Sequence, residues 1–117
     1  MLFKIVDQSL PRARRIKQST EFEQAFRANR LTNKWFVVYV RNNERGCARL
    51  GLVVSKRTMP KAVARNFAKR LVREIFRRDF PAELAMDVVV RARRQINPEN
   101  SGEGRKALTQ ILQAVQT

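Results

Sequence analysis

Apolar residues along the 117-residue chain recur with two spacings, which together predict three helices and three strands. Runs of β-branched and aromatic residues predict the strands, and apolar positions three or four apart predict the helices. In chain order the elements are a helix over Thr20–Ala28, strands over Trp35–Val40 and Cys47–Val54, a helix over Pro60–Arg78, a strand over Met86–Ala92 and a helix over Glu103–Gln116. This order predicts one α+β domain spanning residues 1–117, with residues 1–10 loosely ordered.

The first predicted helix begins with the spacing of a capping box, in which Thr20 caps and Glu23 reaches back. Phe22 and Phe26 lie one turn apart on this helix and therefore share a face. Such a pair can be part of the core or of an exposed surface, and its spacing alone favours the core.

The first predicted strand is apolar on both faces. One face would carry Trp35, Val37 and Tyr39, and the other would carry Phe36, Val38 and Val40. Either both faces are buried in the protein, or one is covered by another molecule. The polar turn over Arg41–Gly46 predicts that this strand forms a hairpin with the next one, Cys47–Val54.

The fourth element, the helix over Pro60–Arg78, separates apolar from cationic residues. Between Lys56 and Arg78 there are nine Lys or Arg residues and one acid, Glu74. At roughly 100° per residue, one arc collects the apolar side chains, namely Val63, Ala64, Phe67, Ala68, Leu71, Val72 and Ile75. The other arc collects Lys61, Arg65, Asn66, Lys69, Arg70, Arg73 and Arg77. Because like charges repeated at i,i+4 destabilise a helix, this pattern predicts an anionic ligand.

The composition narrows the ligand and the chemistry. A net charge of +15 favours a polyanion, with nucleic acid ahead of an anionic membrane. The chain has no His, which excludes imidazole catalysis and His metal sites, and its single Cys47 excludes an intrachain disulfide or a Cys-rich zinc site. One Cys fits a reducing cytoplasm. No apolar run approaches the roughly 20 residues of a membrane span, and Met1–Leu10 lacks a signal-peptide core.

Three kinds of anion binder remain. A membrane-surface helix would need its apolar face free for lipid, and a helix-turn-helix protein would be mostly helical, against the Val-rich strands. RNA and single-strand binders commonly combine a sheet surface, exposed aromatic residues and a basic rim. Here that surface could be formed by Phe22, Phe26, Trp35, Val37 and Tyr39.

Four segments, in this order, resemble the protein component of bacterial ribonuclease P. They are Glu21–Phe26 for its first helix, Phe36–Tyr39 for its first strand, Leu50–Arg57 for a strand and basic connector, and Arg65–Asn66 with Lys69–Glu74 for its signature helix. The likeness runs from about Leu10 to the last helix and is most specific over Gly51–Glu74. The family's motif usually continues Arg-Asn-Arg, whereas this chain has Phe67 in the third place.

The resemblance implies a fold and a function. The fold would be an αββαβα sandwich, similar to domain 2 of ribosomal protein S5, with a left-handed βαβ crossover. The protein would be the subunit of an endoribonuclease, a hydrolase, in which a catalytic RNA with Mg²⁺ removes the 5′ leader of precursor tRNA. This chain would supply no catalytic residue, and no metal site is assigned to it. Its partners would be ribonuclease P RNA and precursor tRNA, in the cytoplasm, with no DNA or membrane.

The resemblance also implies two sets of site residues. The set that contacts the catalytic RNA would comprise Lys56, Arg57, Lys61, Arg65, Asn66, Lys69, Arg70 and Arg73. The cleft for the single-stranded leader would be lined by Phe22, Phe26, Val37 and Tyr39, to which we add the adjacent Trp35. Phe67 falls near about 240° on the helix, inside the apolar arc, which favours packing over stacking on RNA.

Two other functions remain open. One is a ribosomal or general RNA-binding protein without a processing role. The other is an autonomous nuclease, which would need clustered carboxylates for metal ions. The acids of this chain are scattered, and only Glu21 with Glu23 and Glu99 with Glu103 lie close together in sequence. The sequence therefore favours the ribonuclease P subunit.

Overall fold

The computed structural model describes residues 15–16 and 29–116, and these form one α+β domain. The elements are β1 (Asn29–Thr32), β2 (Phe36–Asn42), β3 (Arg49–Val53), α1 (Ala62–Asp79), β4 (Met86–Ala92) and α2 (Ser101–Ala114). The predicted fold class is confirmed, and the predicted bounds of the last strand agree with β4. The helix predicted over Thr20–Ala28 and the segment 1–10 lie outside the described residues.

The strand order in the sheet is β1-β2-β4-β3. β2 pairs antiparallel with both β1 and β4, whereas β3 pairs parallel with β4. The hairpin predicted between the strands Trp35–Val40 and Cys47–Val54, which correspond to β2 and β3, is therefore wrong. Parallel neighbours need a crossover connection, which α1 provides, and this places the Val-rich β4 at the centre of the sheet. The left hand of that crossover stays a prediction.

β1 is an additional strand that the apolar pattern did not predict. Its residues are mostly exposed and do not alternate between apolar and polar, so the sequence pattern gives no strand signal there. The turn into β2 depends on Asn33, whose Oδ1 accepts hydrogen bonds of 2.8 Å from the backbone N–H groups of both Trp35 and Phe36. An Asn side chain that bonds the backbone two and three residues on stabilises a tight turn.

Both helices cover one face of the sheet, and the main core lies between the helices and that face. It includes the alternate β2 and β4 side chains Phe36, Val38, Val88 and Val90, and the helix residues Leu71, Val72, Ile75, Phe76, Leu108 and Leu112. Each of these residues is at most 2% exposed. The apolar faces of α1 and α2 are thus packed inside the protein.

Trp35 lies on the helix side of the sheet, which corrects its predicted grouping with Val37 and Tyr39. It is 7% exposed and belongs to the main core. Its ring packs against Gly104 of α2, where an added Cβ atom would lie 3.6 Å from the ring. Trp35 precedes β2 and sits in the bend closed by Asn33, so the strand's alternation does not extend to it. The guanidinium of Arg94 stands 4.9 Å from its ring centroid.

The apolar face of α1 is shifted relative to the predicted arc. Its buried residues begin at Ala68 and continue to Phe76, which stacks on Phe80 at 4.9 Å. Val63 was predicted on the apolar arc, but it is 80% exposed, whereas Ala64 in the same turn packs against the main core. Phe67 is half-buried and packs against the main core, as the arc predicted.

The opposite face of the sheet, which we call the second face, holds a smaller apolar cluster. Tyr39 and Val89 are buried there with Ile16, and Val37 and Val53 pack against them. The backbone N–H of Ile16 donates to the carbonyl of Leu50 at 2.8 Å, so segment 15–16 lies beside β3 at the edge of the sheet.

Candidate nucleic-acid interface

The cationic face of α1 lies opposite its packed side. We use this name for Lys61, Arg65, Asn66, Lys69, Arg70, Arg73 and Arg77. Lys61, Asn66, Arg70 and Arg77 are exposed, whereas Arg65, Lys69 and Arg73 are half-buried. All members predicted from the sequence are therefore brought to one side of one helix, and the exposed ones can be reached by a ligand.

The acids of α1 point toward α2 and do not neutralise this face. Glu74 forms an ion pair of 3.6 Å with Arg105 of α2. Asp79 pairs with Arg78 at 3.0 Å and accepts a 3.5 Å hydrogen bond from Thr109 of α2. The hydrogen bond from Arg78 is the main reason that the pKa of Asp79 lies below its usual value. The acids thus brace the two helices and leave the positive charge of the cationic face in excess.

Positive charge also accumulates at the edge of the sheet. Burial, and then the positive charge of Arg15, hold the pKa of Arg73 below its usual value. Arg15 lies next to β3 through its bridge with Leu50, so it extends the positive field beyond α1. Arg15 is not among the predicted site residues, although it belongs to a basic run, Arg12 to Lys17, that is visible in the sequence.

The basic connector, which we define as Ser55–Pro60, joins β3 to α1 and presents Lys56 and Arg57, both exposed. It has a fixed shape, because Ser55 Oγ accepts a 3.1 Å bond from the N–H of Thr58 and the Ser55 carbonyl accepts a 2.9 Å bond from the N–H of Met59. Met59 is fully buried and anchors the connector in the main core.

The N-terminus of α1 adds to the positive potential beside the connector. Lys61 occupies the N-cap without a capping hydrogen bond from its side chain, and the first turn contains no acid. The partial positive charge of the helix dipole at this end is therefore not offset by a nearby carboxylate of the first turn. The connector and the cationic face together form a continuous run of predicted RNA-binding residues around the start of α1.

The predicted leader cleft is brought together only in part. Val37 and Tyr39 share the second face, where Val37 is half-buried and Tyr39 is 7% exposed. Trp35 lies on the helix side of the sheet, and Phe22 and Phe26 lie outside the described residues. The part of this cluster that is open to a ligand is therefore the Val37 end.

Arg91 stands at that open end and is not among the residues predicted from the sequence. In β4 it is the register partner of Val37 on one side and of Val53 on the other, and it is exposed. Cross-strand partners lie about 4.5–5.5 Å apart at Cβ, so the Arg91 and Val37 side chains leave the sheet side by side. The alternation of Asp87, Val89 and Arg91 in β4 is the sequence signal that places them on one face.

The other end of the second face holds a buried ion pair. Asp87 is fully buried, and its carboxylate accepts bonds of 2.9 and 2.8 Å from Nε and Nη2 of Arg49 and one of 2.8 Å from Asn43. Arg41 Nε lies 3.6 Å from Asp87 Oδ2 and is buried without a hydrogen-bond partner among the described residues. Burial raises the pKa of Asp87, but the hydrogen bonds from Arg49 and Asn43 outweigh burial and hold it below its usual value.

Within residues 15–16 and 29–116, no three His, Cys, Asp or Glu side chains gather into a group that could hold a metal ion. In the same ranges, no helix has both the length and the apolar character needed to cross a bilayer. The candidate interface consists of cationic and amide side chains on α1 and the basic connector, and the partly apolar second face lies on the opposite side of the sheet.

Comparison with known proteins gives one consistent result. The family model described as Ribonuclease P matches residues 10–116. The ribonuclease P protein component of Thioalkalivibrio sulfidiphilus is 35% identical over 113 residues, covering 96% of this chain and 94% of the relative. That of Aromatoleum aromaticum is 40% identical over 87 residues, covering 74% and 73%.

Solved structures agree with the sequence relatives. A Staphylococcus aureus RNase P protein mutant with defective mRNA degradation activity superposes with a TM-score of 0.75 at 31% identity, covering 89% of each chain. The RNase P protein from Thermotoga maritima gives a TM-score of 0.65 at 32% identity, covering 86% of this chain and 93% of that one. The chain therefore belongs to the ribonuclease P protein component family.

Proposed function

We propose that this chain binds ribonuclease P RNA through the cationic face and the basic connector, and the 5′ leader of precursor tRNA along the open end of the second face. Family membership gives the coarser statement, which is a role in ribonuclease P with its RNA as partner. The observation that supports the finer proposal is the cationic face itself, whose like charges stand together because both acids of α1 bond elsewhere: Glu74 pairs with Arg105 of α2, and Asp79 bonds Arg78 and Thr109.

The packing of α1 favours RNA over the other anions. The apolar side of α1 is buried in the main core, so it is not available to insert into lipid. The four-stranded sheet differs from the mostly helical architecture of helix-turn-helix DNA binders. Lys and Arg contact phosphates, and Asn66 within the cationic face can also bond sugar or base edges.

The chemistry in this proposal belongs to the RNA. Mg²⁺ bound by the RNA would supply the activation of water and the stabilisation of charge during cleavage of the phosphodiester. The acids of this chain that carry ion pairs, such as Asp79 and Asp87, are already occupied by Arg partners, so we assign no metal to them. The protein contributes position and electrostatics, because its positive charge lowers the repulsion between two RNA backbones.

Reconstitution tests this proposal. Bacterial ribonuclease P RNA and precursor tRNA are mixed at low Mg²⁺ with and without the protein, and cleavage of the leader is followed. We expect the protein to stimulate cleavage and Arg70→Ala to stimulate it less. Lys106→Ala removes the same charge from an exposed position on α2 and should stimulate like the parent.

Each other outcome has a clear meaning. If the protein does not stimulate cleavage, the role in leader removal is wrong and a general RNA-binding function takes its place. If the protein cleaves precursor tRNA without the RNA, the chain is itself a nuclease. Equal losses in Arg70→Ala and Lys106→Ala would mean that only net charge matters, which contradicts a defined cationic face.

A further inference from the structure

Arg65 makes contacts that distinguish it from the rest of the cationic face. Its Nη1 donates to the carbonyl oxygens of Met59 at 2.9 Å and Pro60 at 2.8 Å. Arg65 is half-buried, whereas Arg70 is exposed. One nitrogen of the Arg65 guanidinium is therefore hydrogen-bonded to the backbone of the basic connector instead of pointing outward.

The two carbonyls lie at the point where the connector enters α1. Met59 is buried in the main core, and Pro60 has a fixed φ and no N–H group. Arg65 lies in the first turns of α1, so its bonds run back from the helix to the end of the connector. Charge-assisted bonds to carbonyl oxygens are stronger than neutral ones, and two of them from one planar nitrogen fix the direction of that backbone.

The tip of the connector depends on this geometry. Lys56 and Arg57 lie between Ser55 and Thr58, whose side chains bond each other at 3.0 Å. That small turn is exposed. The rest of the connector is held in place by Met59 and by the hydrogen bonds that Arg65 donates to the Met59 and Pro60 carbonyls. If the end of the connector were released, the two tip cations would lose a defined position relative to the cationic face.

We propose that Arg65 is a positioning residue, which holds the basic connector so that Lys56 and Arg57 reach RNA phosphates. This inference rests on the proposed function and deepens it, because it assigns one signature residue an indirect role in the same interface. Preorganised donors bind better than mobile ones, since they lose less conformational freedom on binding. The contribution of Arg65 to RNA binding is then carried largely by the two tip residues.

The substitution Arg65→Lys separates the two roles. It keeps the positive charge but replaces the planar fork with a flexible, strongly hydrated ammonium. Binding of ribonuclease P RNA is measured over a range of salt concentrations for this variant, for Lys56→Ala/Arg57→Ala and for the matched control Arg78→Lys. Arg78 is an exposed α1 residue outside the cationic face, and a Lys there can keep the ion pair with Asp79. We expect the salt slope of Arg65→Lys to fall toward that of Lys56→Ala/Arg57→Ala, by about 0.9 for each lost phosphate contact, although net charge is unchanged. Arg78→Lys should keep the parent slope.

Two further measurements exclude a merely structural effect. In the Arg65→Lys background, adding Lys56→Ala/Arg57→Ala should cause little further loss, because the tip contacts are already gone. Ser55→Ala removes the two side-chain hydrogen bonds between Ser55 and Thr58 without changing any charge, and it should lower the salt slope in the same direction. This second variant alters an exposed position and keeps the inference testable if Arg65→Lys reduces the stability of the fold.

The opposing results are equally specific. A parent-like slope in Arg65→Lys, or fully additive losses with Lys56→Ala/Arg57→Ala, would mean that Arg65 contacts RNA as a simple charge, and the positioning role would be wrong. If the parent protein and Arg78→Lys both fail to bind the RNA, the proposed function itself fails, and this outcome is distinct from the first.

Discussion

The cationic face of α1 and the second face of the sheet both carry arginines, but the two regions treat positive charge differently. On α1 the charges are exposed or half-buried beside like charges, and the acids of the same helix bond Arg105, Arg78 and Thr109 instead. On the second face, Arg49 is buried and pairs with Asp87 in two hydrogen bonds. The presence of an internal partner, rather than the number of cations, separates a structural arginine from one available to a ligand.

The second face contains both kinds of arginine within one sheet. Arg49 and Arg41 converge on Asp87 at one end, whereas Arg91 is exposed at the other end beside Val37. By the same criterion as on α1, Arg91 belongs with the ligand-facing residues and Arg49 with the core. The contrast between the two regions is therefore also a contrast within the second face, and it can be tested by removing one charge at a time.

The largest expected difference concerns folding stability. Asp87→Asn removes the charge that compensates a buried guanidinium, and breaking a buried pair in this way typically costs about 3–5 kcal/mol. Arg70→Gln removes a charge from an exposed position with like-charged neighbours, and it should change the free energy of unfolding by less than about 0.5 kcal/mol. Urea denaturation followed by circular dichroism measures both. Similar changes in the two variants would show that burial does not separate the two regions.

Acid titration of the parent protein and of Asp87→Asn tests the Asp87–Arg49 ion pair in a second way. The folded-state pKa of Asp87 is lowered, so its stabilisation is complete above the unfolded-state pKa of about 3.9 and is lost as the pH falls through the lower, folded-state pKa. The parent protein should therefore lose stability more steeply in acid than Asp87→Asn does. Asp79 is present in both proteins, so its own lowered pKa cancels in the difference. If the two proteins lose stability equally steeply as the pH falls, the contribution assigned to the Asp87 carboxylate is wrong.

The next prediction separates the ligands of the two regions. Arg91→Ala should weaken binding of precursor tRNA to the assembled enzyme while leaving binding of mature tRNA unchanged, because only precursor tRNA carries the leader. One lost contact with a single-stranded phosphate should lower the salt slope by about 0.7. Arg70→Ala should instead weaken binding of ribonuclease P RNA. Both changes remove one exposed charge, so each variant serves as the control for the other.

An equal loss of precursor and mature tRNA binding in Arg91→Ala would contradict a leader contact at the open end of the second face. Val37→Ala tests the apolar part of that end, since Val37 is half-buried and is the register partner of Arg91. It should follow the Arg91→Ala pattern, with a loss confined to precursor tRNA and no change in the salt slope. Tyr39 is less suitable for this test, because it is 7% exposed and its truncation would open a cavity.

The periodicity of the sequence predicted the parts of the fold where one physical rule dominates. The strand Met86–Ala92 has the bounds that its Val-rich run predicts, and Ala68 to Ile75 pack as the helical spacing predicts. The pairing of the strands could not be predicted in this way, since β3 reaches β4 through a crossover and local alternation contains no information about neighbours. The hairpin was expected from the polar turn over Arg41–Gly46, and it is wrong.

The site shows the same division. The cationic face follows from residue spacing, because side chains at i, i+3 and i+4 share a helix side whatever the rest of the fold does. Trp35 was placed wrongly because a bend made by Asn33 interrupts the strand's alternation. The Arg65 bonds to Met59 and Pro60 depend on the path by which the connector enters α1, and the position of Arg91 beside Val37 depends on strand pairing. No helix or strand spacing rule encodes either.

The smallest expected effect concerns Phe67, where this chain departs from the family's usual Arg. Phe67 is half-buried and packs against the main core, although it follows Asn66 of the cationic face. Phe67→Leu keeps an apolar side chain and removes the ring, so a packing role predicts a loss of stability below about 1.5 kcal/mol and unchanged affinity for ribonuclease P RNA. A ring stacked on a base would instead lose about 1–3 kcal/mol of binding free energy. RNA titrations of the parent and Phe67→Leu distinguish these results. A loss of binding of that size would show that the Phe67 ring contacts RNA and does not serve only to pack the core.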